Sequence, residues 1–216
     1  MLLIPLGGYP IVKTNINSSV SEDIIKFIKL QAKTKDPVTL FNLTNDAHIL
    51  QNEKLKEIKK SIWSNFCNYI DNILEIENEF YLCNSWCTYQ NKNNFHPTHS
   101  HPNAIFSSVY YLNTDKTVLQ FTLPRSKIQE GFFFDYKIKN YNYFNSSTWS
   151  IPAEEGDLIL FPGELAHQTT PYKGSKPRII IGSSYFIQGE LGLNKHYNSI
   201  NIKNNHERYK NNATYT

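Results

Sequence analysis

The spacing of apolar residues changes near Glu79, from a helical period to a strand period. Before that point, one apolar set follows Ser21, which fits a helix N-cap with Glu22 and Asp23 in the first turn. A second set predicts a longer helix from about Asn52 to Leu74. Both helices are predicted to pack as scaffold on one face of a sheet. The two sets are Ile24, Ile25, Phe27, Ile28 and Leu30, and then Leu55, Ile58, Ile62, Phe66, Tyr69, Ile70 and Ile73.

After Glu79, short runs of β-branched and aromatic residues predict about eight strands. Two helices followed by many strands favour an α+β chain, mainly β, with a sandwich or rolled barrel. Residues 1–16 are predicted to form one short edge strand limited by Pro5 and Pro10, and residues 34–50 a loop with brief extended pieces. The predicted strands are Phe80–Gln90, Ala104–Leu112, Thr117–Leu123, Gly131–Ile138, Thr148–Ile151, Asp157–Phe161, His167–Thr170 and Arg178–Ile187.

Length and composition indicate a single globular domain over residues 1–216. Its hydrophobic content of 40%, with 14% aromatic residues, argues against a disordered chain. We expect helical support over about 20–75, a β core over about 80–187, and a polar tail over 189–216 that folds over the surface or frays.

Charge and cysteine usage narrow the class of protein. The formal charge of +3 comes without a basic cluster, so nucleic acid is not an expected partner. The three cysteines form no CxxC pair, which favours free thiols in a reducing cytosol over disulfides or a zinc site. The sequence shows no secretory signal and no membrane span, so no membrane association is predicted.

Candidate chemistry begins with three of the seven histidines, His96, His99 and His101, which fall within six residues before a predicted strand. Imidazoles so close together are poor core fillers, because each brings two nitrogens that need partners when buried. In an extended segment, His99 and His101 would point to one face of a sheet in a chelating geometry. A distant imidazole, His167, follows another strand-like run, and Arg178 opens a buried strand 11 residues later. These residues together predict a metal site beside a cation that binds carboxylates.

The same residues also have structural interpretations. A lone histidine such as His167 is more often a hydrogen-bonded core residue. Arg178 alone can form a structural salt bridge with Asp157 or Glu164. The aromatic segment Phe132–Phe144 is predicted to be a hairpin packed on the sheet, with a substrate lid as the alternative.

The order and spacing of these motifs resemble the 2-oxoglutarate and Fe(II)-dependent oxygenases, and most closely the small bacterial and phage branch of that superfamily. That branch has an H-x-H-P stretch leading to S-x-V-Y-Y-L, and later F-P, a histidine and a proline. The resemblance covers roughly residues 80–187 and implies a double-stranded β-helix, or jelly-roll, fold of cupin-like type. The matching positions are His99, His101, Pro102, Ser107, Val109, Tyr110, Tyr111, Leu112, Phe161, Pro162, His167 and Pro171.

The resemblance implies a role for each main residue. His99 would be the first iron ligand, His167 the distal ligand, and Arg178 the partner of the C5 carboxylate of 2-oxoglutarate. The superfamily's usual H-x-D/E motif would have a carboxylate where this chain has His101. Either three imidazoles bind the iron, or His101 is no ligand and water or a remote acid takes its place. His96 is a further candidate, as a ligand in place of His101 or as a residue of the entrance.

Several residues are predicted to contact the cosubstrate if their side chains face the barrel interior. Alternation along a strand lets only one of two adjacent tyrosines do so. Trp86 and Trp149 are predicted to belong to the core rather than to the site. The predicted cosubstrate-binding residues are Tyr89, Asn103, Ser107 and Tyr110, with Tyr111 as the alternative to Tyr110.

The activity implied by the resemblance is hydroxylation of an unknown small molecule or peptide. Fe(II) and 2-oxoglutarate would be required, O2 would be consumed, and succinate and CO2 would be released. Two other classes remain open. One is a cupin-like dioxygenase, isomerase or sensor that binds metal without 2-oxoglutarate, and the other is a non-enzymatic β-sandwich binding module. The expected location is the cytoplasm of a bacterial cell, or of the host if the gene belongs to a phage, and a homodimer is compatible with the sequence.

Overall fold

The computed structural model describes residues 2–6, 8–16, 20–32, 34–35, 41–123, 137–142, 145–192 and 198–203. Both predicted helical regions are present. The first, α1 (Glu22–Gln31), begins after Ser21, whose hydroxyl accepts a hydrogen bond from Ile24 N at 3.4 Å, so the predicted N-cap is confirmed. The second region consists of two 3₁₀ turns (Ile49–Gln51 and Glu53–Leu55), α2 (Lys56–Tyr69) and a π turn (Ile70–Leu74).

Short strands make up most of the remaining described chain. They are β1 (Leu2–Leu6), β2 (Tyr9–Asn15), β3 (Thr34–Lys35), β4 (Asn42–Leu43), β5 (Glu79–Gln90), β6 (His96–His99), β7 (Phe106–Asn113), β8 (Thr117–Thr122), β9 (Thr148–Ala153), β10 (Asp157–Pro162), β11 (His167–Thr169), β12 (Arg178–Leu191) and β13 (Ile200–Ile202).

These strands form two sheets that share an apolar core. The larger sheet has the order β1-β2-β10-β7-β12-β5-β4-β3, with β13 also paired to β12, and the smaller has the order β6-β11-β8-β9. From β5 onward the chain crosses repeatedly between the sheets, so that β5, β7, β10 and β12 lie in the larger sheet and β6, β8, β9 and β11 in the smaller. This is the connectivity of a jelly roll, and the predicted double-stranded β-helix is confirmed.

The N-terminal segment is a hairpin and not the single edge strand predicted for residues 1–16. β1 pairs antiparallel with β2, and Gly8 supports the turn with a φ of +90°. Pro5 and Pro10 lie opposite each other, whereas the pairing of β2 with β10 begins at Val12. Because Pro10 lies outside the β2–β10 ladder, its missing N–H does not prevent β2 from being an interior strand.

The helices cover the outer face of the larger sheet, as predicted. Phe66 of α2 stacks on Tyr185 of β12, with ring centroids 3.7 Å apart and an interplanar angle of 6°. Tyr69 donates its hydroxyl to Pro10 O at 2.8 Å and connects α2 to the N-terminal hairpin. The helix-side core contains the apolar positions of α2 that recur at helical spacing, Ile58, Ile62, Phe66 and Tyr69.

Strand alternation divides the larger sheet into two faces. In β12, Ile179 joins the helix-side core and Ile180 joins the core between the sheets. In β7, Tyr110 belongs to the helix side and Tyr111 to the core between the sheets. The register of each strand therefore decides which side chains can reach a site between the sheets.

Some predictions concern residues that the structure describes only in part. Of the aromatic segment Phe132–Phe144 and the predicted strand Gly131–Ile138, the structure describes only residues 137–142, and these form no strand. In the predicted polar tail, the end of β12 extends to Leu191 and pairs with β13. Neither α1, α2 nor any other described helix has the length and apolar character needed to cross a membrane.

Gly182 in β12 allows Trp86 of β5 to lie against the sheet. A Cβ at position 182 would lie 2.5 Å from two ring atoms of Trp86, its cross-strand neighbour. We therefore expect Gly182→Ala to displace the indole and to lower the free energy of unfolding by about 1–3 kcal/mol, measured in urea. In a Trp86→Phe background, which has a smaller ring, the same substitution should cost less. An equal cost in both backgrounds would show that this contact is unimportant.

Candidate metal centre

Two strands of the smaller sheet bring together two histidines that are distant in sequence. β6 pairs antiparallel with β11, and His99 lies directly opposite His167 in this register. Side chains directly opposite each other in an antiparallel pair lie on the same face of the sheet. The two ring centroids are 4.4 Å apart.

His101 reaches the same place from a loop. β6 ends at His99, and the N–H of His101 donates to Gly163 O at 3.0 Å in the segment that leads to β7. The prediction that His99 and His101 share one face of a strand is therefore wrong, although their rings do converge. His101 Nε2 lies 3.3 Å from His99 Nε2, and the centroids of His101 and His167 are 4.8 Å apart.

Hydrogen bonds to the Nδ1 atoms orient all three rings. His99 Nδ1 lies 2.8 Å from Pro97 O, and His167 Nδ1 lies 2.9 Å from Leu165 O. A carbonyl oxygen can only accept, so each Nδ1 carries the proton and each Nε2 keeps a free lone pair in the neutral ring. His101 Nδ1 lies 2.7 Å from the hydroxyl oxygen of Ser107, which can accept in the same way. Such hydrogen bonds are typical of histidines that bind a metal.

In the imidazole cluster, His99, His101 and His167, one pair of ligand nitrogens already has the spacing found in a metal site. Its three ligand nitrogens lie within 4.8 Å of one another. With metal–nitrogen bonds of about 2.1 Å, neighbouring ligand nitrogens are roughly 3.0–3.4 Å apart. The 3.3 Å between the Nε2 atoms of His99 and His101 falls in this range. Among the described residues no carboxylate joins the cluster, so a metal held here would have three neutral protein ligands.

Burial keeps the imidazole cluster unprotonated. The pKa of His101 falls to about 3, because burial disfavours its charged form and His99 and His96 lie nearby. Burial is also the main cause that lowers the pKa of His99, and it lowers the pKa of His167 well below the ordinary value. Since the unprotonated ring is the form that binds a metal, the cluster is ready for a metal at neutral pH.

His96 lies at the edge of the imidazole cluster. Its ring packs against His99 with centroids 3.9 Å apart and stacks on Phe41 with centroids 4.9 Å apart. It is not among the three residues whose ligand atoms converge. The geometry therefore favours His101 over His96 as the third candidate ligand, and places His96 in the wall of the adjoining cavity.

Arg178 is fully buried at the first position of β12. It faces the smaller sheet, and the guanidinium carbon lies 4.8 Å from the centroid of the Tyr172 ring. Its hydrogen bonds run from Nε to Gln90 Oε1 (2.6 Å), from Nη1 to Thr117 Oγ1 (2.7 Å), and from Nη2 to Thr169 Oγ1 (3.0 Å), Asn94 O (3.3 Å) and Thr170 O (3.3 Å).

No carboxylate pairs with Arg178 within the described parts of the chain. Asp157, one predicted structural partner, pairs with Lys13 instead, at 2.8 Å from Oδ2 to Nζ, and the other, Glu164, is exposed. The structural salt-bridge interpretation is therefore wrong. Burial lowers the pKa of Arg178 to about 10, so the side chain remains a cation at neutral pH. A buried cation without a counter-ion favours an anionic ligand nearby.

The structure separates the residues predicted to bind the cosubstrate. Tyr110 and Tyr89 belong to the helix-side core, on the face opposite the imidazole cluster, so these two predictions are wrong. Alternation brings Tyr111 to the inner face instead. Asn103 is exposed in a turn with a φ of 61° and lies outside the cavity wall, and Ser107 contacts His101.

A small cavity adjoins the imidazole cluster between the two sheets. One wall comes from Trp86, Thr88 and Gln90, three alternate residues of β5. Trp86 is predicted from the sequence to belong to the core, and the sequence pattern gave no indication of a role for Thr88 or Gln90. Their i, i+2 spacing was a signal that they share a face, but the register that sets Gln90 opposite Arg178 was needed to show which face.

Comparison with protein families matches residues 84–184 to the family described as "Putative 2OG-Fe(II) oxygenase". This region belongs to that oxygenase family. It contains the imidazole cluster, the wall formed by β5 and Arg178. No curated protein matches the chain.

Solved structures of other proteins share the fold of this chain. HygX from Streptomyces hygroscopicus, solved with nickel, 2-oxoglutarate and hygromycin B, has a TM-score of 0.53 at 10% identity, over 82% of each chain. SnoN, the α-ketoglutarate-dependent epimerase from nogalamycin biosynthesis, has a TM-score of 0.55 at 11% identity, over 83% of this chain and 78% of that one. The collagen prolyl hydroxylase of Paramecium Bursaria Chlorella virus-1 has a TM-score of 0.51 at 11% identity, over 81% and 94%. At such low identity these matches support the fold alone.

Ser107 should affect metal affinity through His101. Ser107→Ala removes the acceptor for the Nδ1 proton, so we expect metal affinity about 10- to 100-fold weaker, measured by titration of the metal-free protein with Ni(II). The control is Ser108→Ala, because Ser108 points to the other face and bonds Tyr185 OH at 2.9 Å. Equal losses of metal affinity in the two variants would contradict an orienting role for Ser107.

The stability of the metal-free protein should fall on acidification. The folded pKa of His167 lies below the unfolded value of about 6.5, so the unfolded chain binds more protons below that pH. The contribution is complete above about pH 6.5 and is lost at up to about 1.4 kcal/mol per pH unit as the pH falls. Urea unfolding between pH 7 and pH 5 measures the slope. His167→Gln should make it shallower, and an unchanged slope would argue that His167 is not held neutral.

Proposed function

We propose that the protein is an Fe(II)- and 2-oxoglutarate-dependent oxygenase that hydroxylates its substrate. The observation that carries this proposal is the convergence of His99, His101 and His167, each with a hydrogen bond at Nδ1 and with ligand nitrogens within 4.8 Å of one another. Three ligands on one side of a metal leave its remaining positions open toward the cavity. Such open positions are what distinguishes a catalytic metal site from a closed structural one.

The charges of the site favour the cosubstrate. Three neutral imidazoles leave the full charge of a divalent metal uncompensated, and Arg178 adds a buried cation with no carboxylate partner among the described residues. 2-Oxoglutarate carries one carboxylate at each end. It therefore complements a metal at one side of the cavity and, at the other side, the positive charge of Arg178, which lies behind the wall residues Gln90 and Thr169.

The chain's own residues position the reactants and limit the access of water. The imidazole cluster would hold the metal, and the apolar side chains of Val109, Leu119 and Ile180 line the cavity beside it. When bound, iron with 2-oxoglutarate and O2 supplies the oxidation, in which a substrate C–H becomes C–OH and the cosubstrate becomes succinate and CO2. The protein supplies orientation and a water-poor environment.

A cupin-like metal protein that does not use 2-oxoglutarate is the second candidate, because three imidazoles also suit that class and can accept Zn, Ni or Cu. The environment of Arg178 favours the oxygenase. The hydrogen bonds of Arg178 give it a structural role in either class, but its positive charge has no carboxylate partner among the described residues, and an anionic cosubstrate would supply one.

Anaerobic titration of the Fe(II)-loaded protein with 2-oxoglutarate tests the proposal. We expect a visible charge-transfer band on cosubstrate binding, and slow succinate formation when O2 is admitted. Arg178→Gln should weaken 2-oxoglutarate binding about 10-fold, because the loss of a buried unit charge near the anion costs on the order of 1–2 kcal/mol at an effective dielectric constant of about 20.

Metal binding provides the control for this experiment. Arg178→Gln should still bind Ni(II), whereas His167→Ala should lose both the metal and the band. A metal-loaded wild-type protein that shows neither a band nor 2-oxoglutarate binding would leave the cupin-like candidate. A protein that binds no metal at all would refute both.

A further inference from the structure

The strand β6, which carries the candidate ligand His99, is weakly held by its backbone. It has four residues and lies at one end of the smaller sheet, so among the described strands only β11 pairs with it. His99 pairs with His167, and a shift in register separates this pair from the other one, His96 with Thr169. Pro97 has no N–H to contribute, and the His96 N–H donates to the side chain of Thr169 at 2.9 Å. Backbone pairing alone therefore gives this strand little resistance to slipping.

A row of hydrogen-bonded polar side chains crosses the outer face of the smaller sheet, from β6 to β9. Thr98 Oγ1 donates to Gln168 Oε1 at 2.7 Å, and Gln168 Nε2 donates to Gln120 Oε1 at 2.5 Å. Gln120 Nε2 donates to Ser150 Oγ at 3.2 Å. The strand register matches this row, because Gln120 lies opposite both Gln168 and Ser150. We call Thr98, Gln168, Gln120 and Ser150 the polar ladder.

The polar ladder and the imidazole cluster use opposite faces of the same two strands. Thr98 immediately precedes His99 on β6, and Gln168 immediately follows His167 on β11. His167 and Thr169 line the cavity, so alternation directs the side chain of Gln168 to the outer face. A one-residue slip of β6 would separate Thr98 from Gln168 and would turn His99 away from the cavity. The polar ladder and a chelating arrangement therefore favour the same register.

The far end of the polar ladder is firmly anchored. All six residues of β8 pair with β9, and all three residues of β11 pair with β8. Each glutamine amide both accepts and donates, and a flip of either amide alone would bring two donors or two acceptors together between Gln168 and Gln120. The polar ladder therefore has a defined geometry, and it joins a short edge strand to a well-paired part of the sheet.

We propose that the polar ladder positions the candidate metal ligands, because Thr98 and Gln168 hold β6 in the register that sets His99 opposite His167. This inference rests on the proposed function, since it concerns the metal site of that function. Thr98 and Gln168 are positioning residues that act through the neighbouring imidazoles. Their contribution is a pre-formed site, in which the metal does not have to order the strand as it binds.

Thr98→Val tests the polar ladder, because it replaces the donor hydroxyl with a methyl group and keeps a β-branched side chain on the strand. A hydrogen bond of this kind changes the ratio of two states by a factor of about 3–10. We therefore expect Ni(II) affinity about 3- to 10-fold weaker, measured by titration of the metal-free protein. Thr98→Ser keeps the hydroxyl and should bind Ni(II) like the wild type.

The matched control is Thr122→Val. Thr122 is the last residue of β8, and it alternates with the core residue Phe121, so it lies on the same outer face but outside the polar ladder. This variant should leave Ni(II) affinity unchanged.

Native-state hydrogen exchange separates positioning from general destabilisation. The His96 N–H reports on β6, since its acceptor lies on β11. In Thr98→Val its exchange should be about 3- to 10-fold faster, while the slowest amides of β7 and β12, which report global unfolding, exchange as in the control variant.

The other outcomes separate this inference from the proposed function. Unchanged Ni(II) affinity in Thr98→Val, an equal loss in Thr122→Val, unchanged exchange at His96, or uniformly faster exchange throughout the protein would each overturn the positioning role. All four outcomes would leave the oxygenase proposal intact. A wild-type protein that binds no Ni(II) would refute the proposed function itself.

Discussion

The hydrogen bonds of Arg178 hold one end of the jelly roll together. Its guanidinium, carried by β12 of the larger sheet, donates to Gln90 of the same sheet and to Thr117 and Thr169 of the smaller one. Because the guanidinium is planar and its donors have fixed directions, these bonds set the distance between the sheets at this end. The cavity depends on that distance, and so does the approach of β11 to the rest of the site.

Electrostatics then makes metal and anion binding interdependent. The imidazole cluster contributes no charge, and Arg178 contributes a positive one, so the described part of the site has no negative group of its own. A divalent metal entering this environment is disfavoured by the guanidinium, although solvent and distance weaken the repulsion. A dianion that contacts both regions removes the conflict. The two ligands should therefore bind more tightly together than either does alone, which is coupling by charge and needs no conformational change.

The sequence predicted the elements of this fold better than their pairing. Helical spacing located α1 and α2, since Phe66 and its neighbours recur on one face, and the residues that matter most, His99, His167 and Arg178, were recognised by type and order. The errors concern register. The hairpin at Gly8 and the outward direction of Tyr110 depend on which strand lies beside which, and a shift of one residue exchanges the two faces. The inward direction of Thr88, for which the sequence made no prediction, depends on the same register. Local pattern cannot supply that information.

The residues around position 101 are suited to an imidazole. The histidine found there, in place of the carboxylate of the usual H-x-D/E motif, is therefore matched by its neighbours. An imidazole is larger than the carboxylate of an aspartate, and His101 has room because it stands in a loop after β6 rather than on the strand. Trp86 packs edge-on against its ring, with centroids 5.0 Å apart, and the indole can lie there because residue 182 has no Cβ. Ser107 offers an oxygen to the Nδ1 atom of the imidazole, and an aspartate has no such nitrogen.

These contacts from β5, β7 and β12 act on one ring, so a carboxylate placed at 101 would leave Trp86 without its partner and Ser107 without its donor. We therefore expect that His101→Asp alone would not form an equivalent candidate metal site, and that changes at the neighbouring positions would be needed as well.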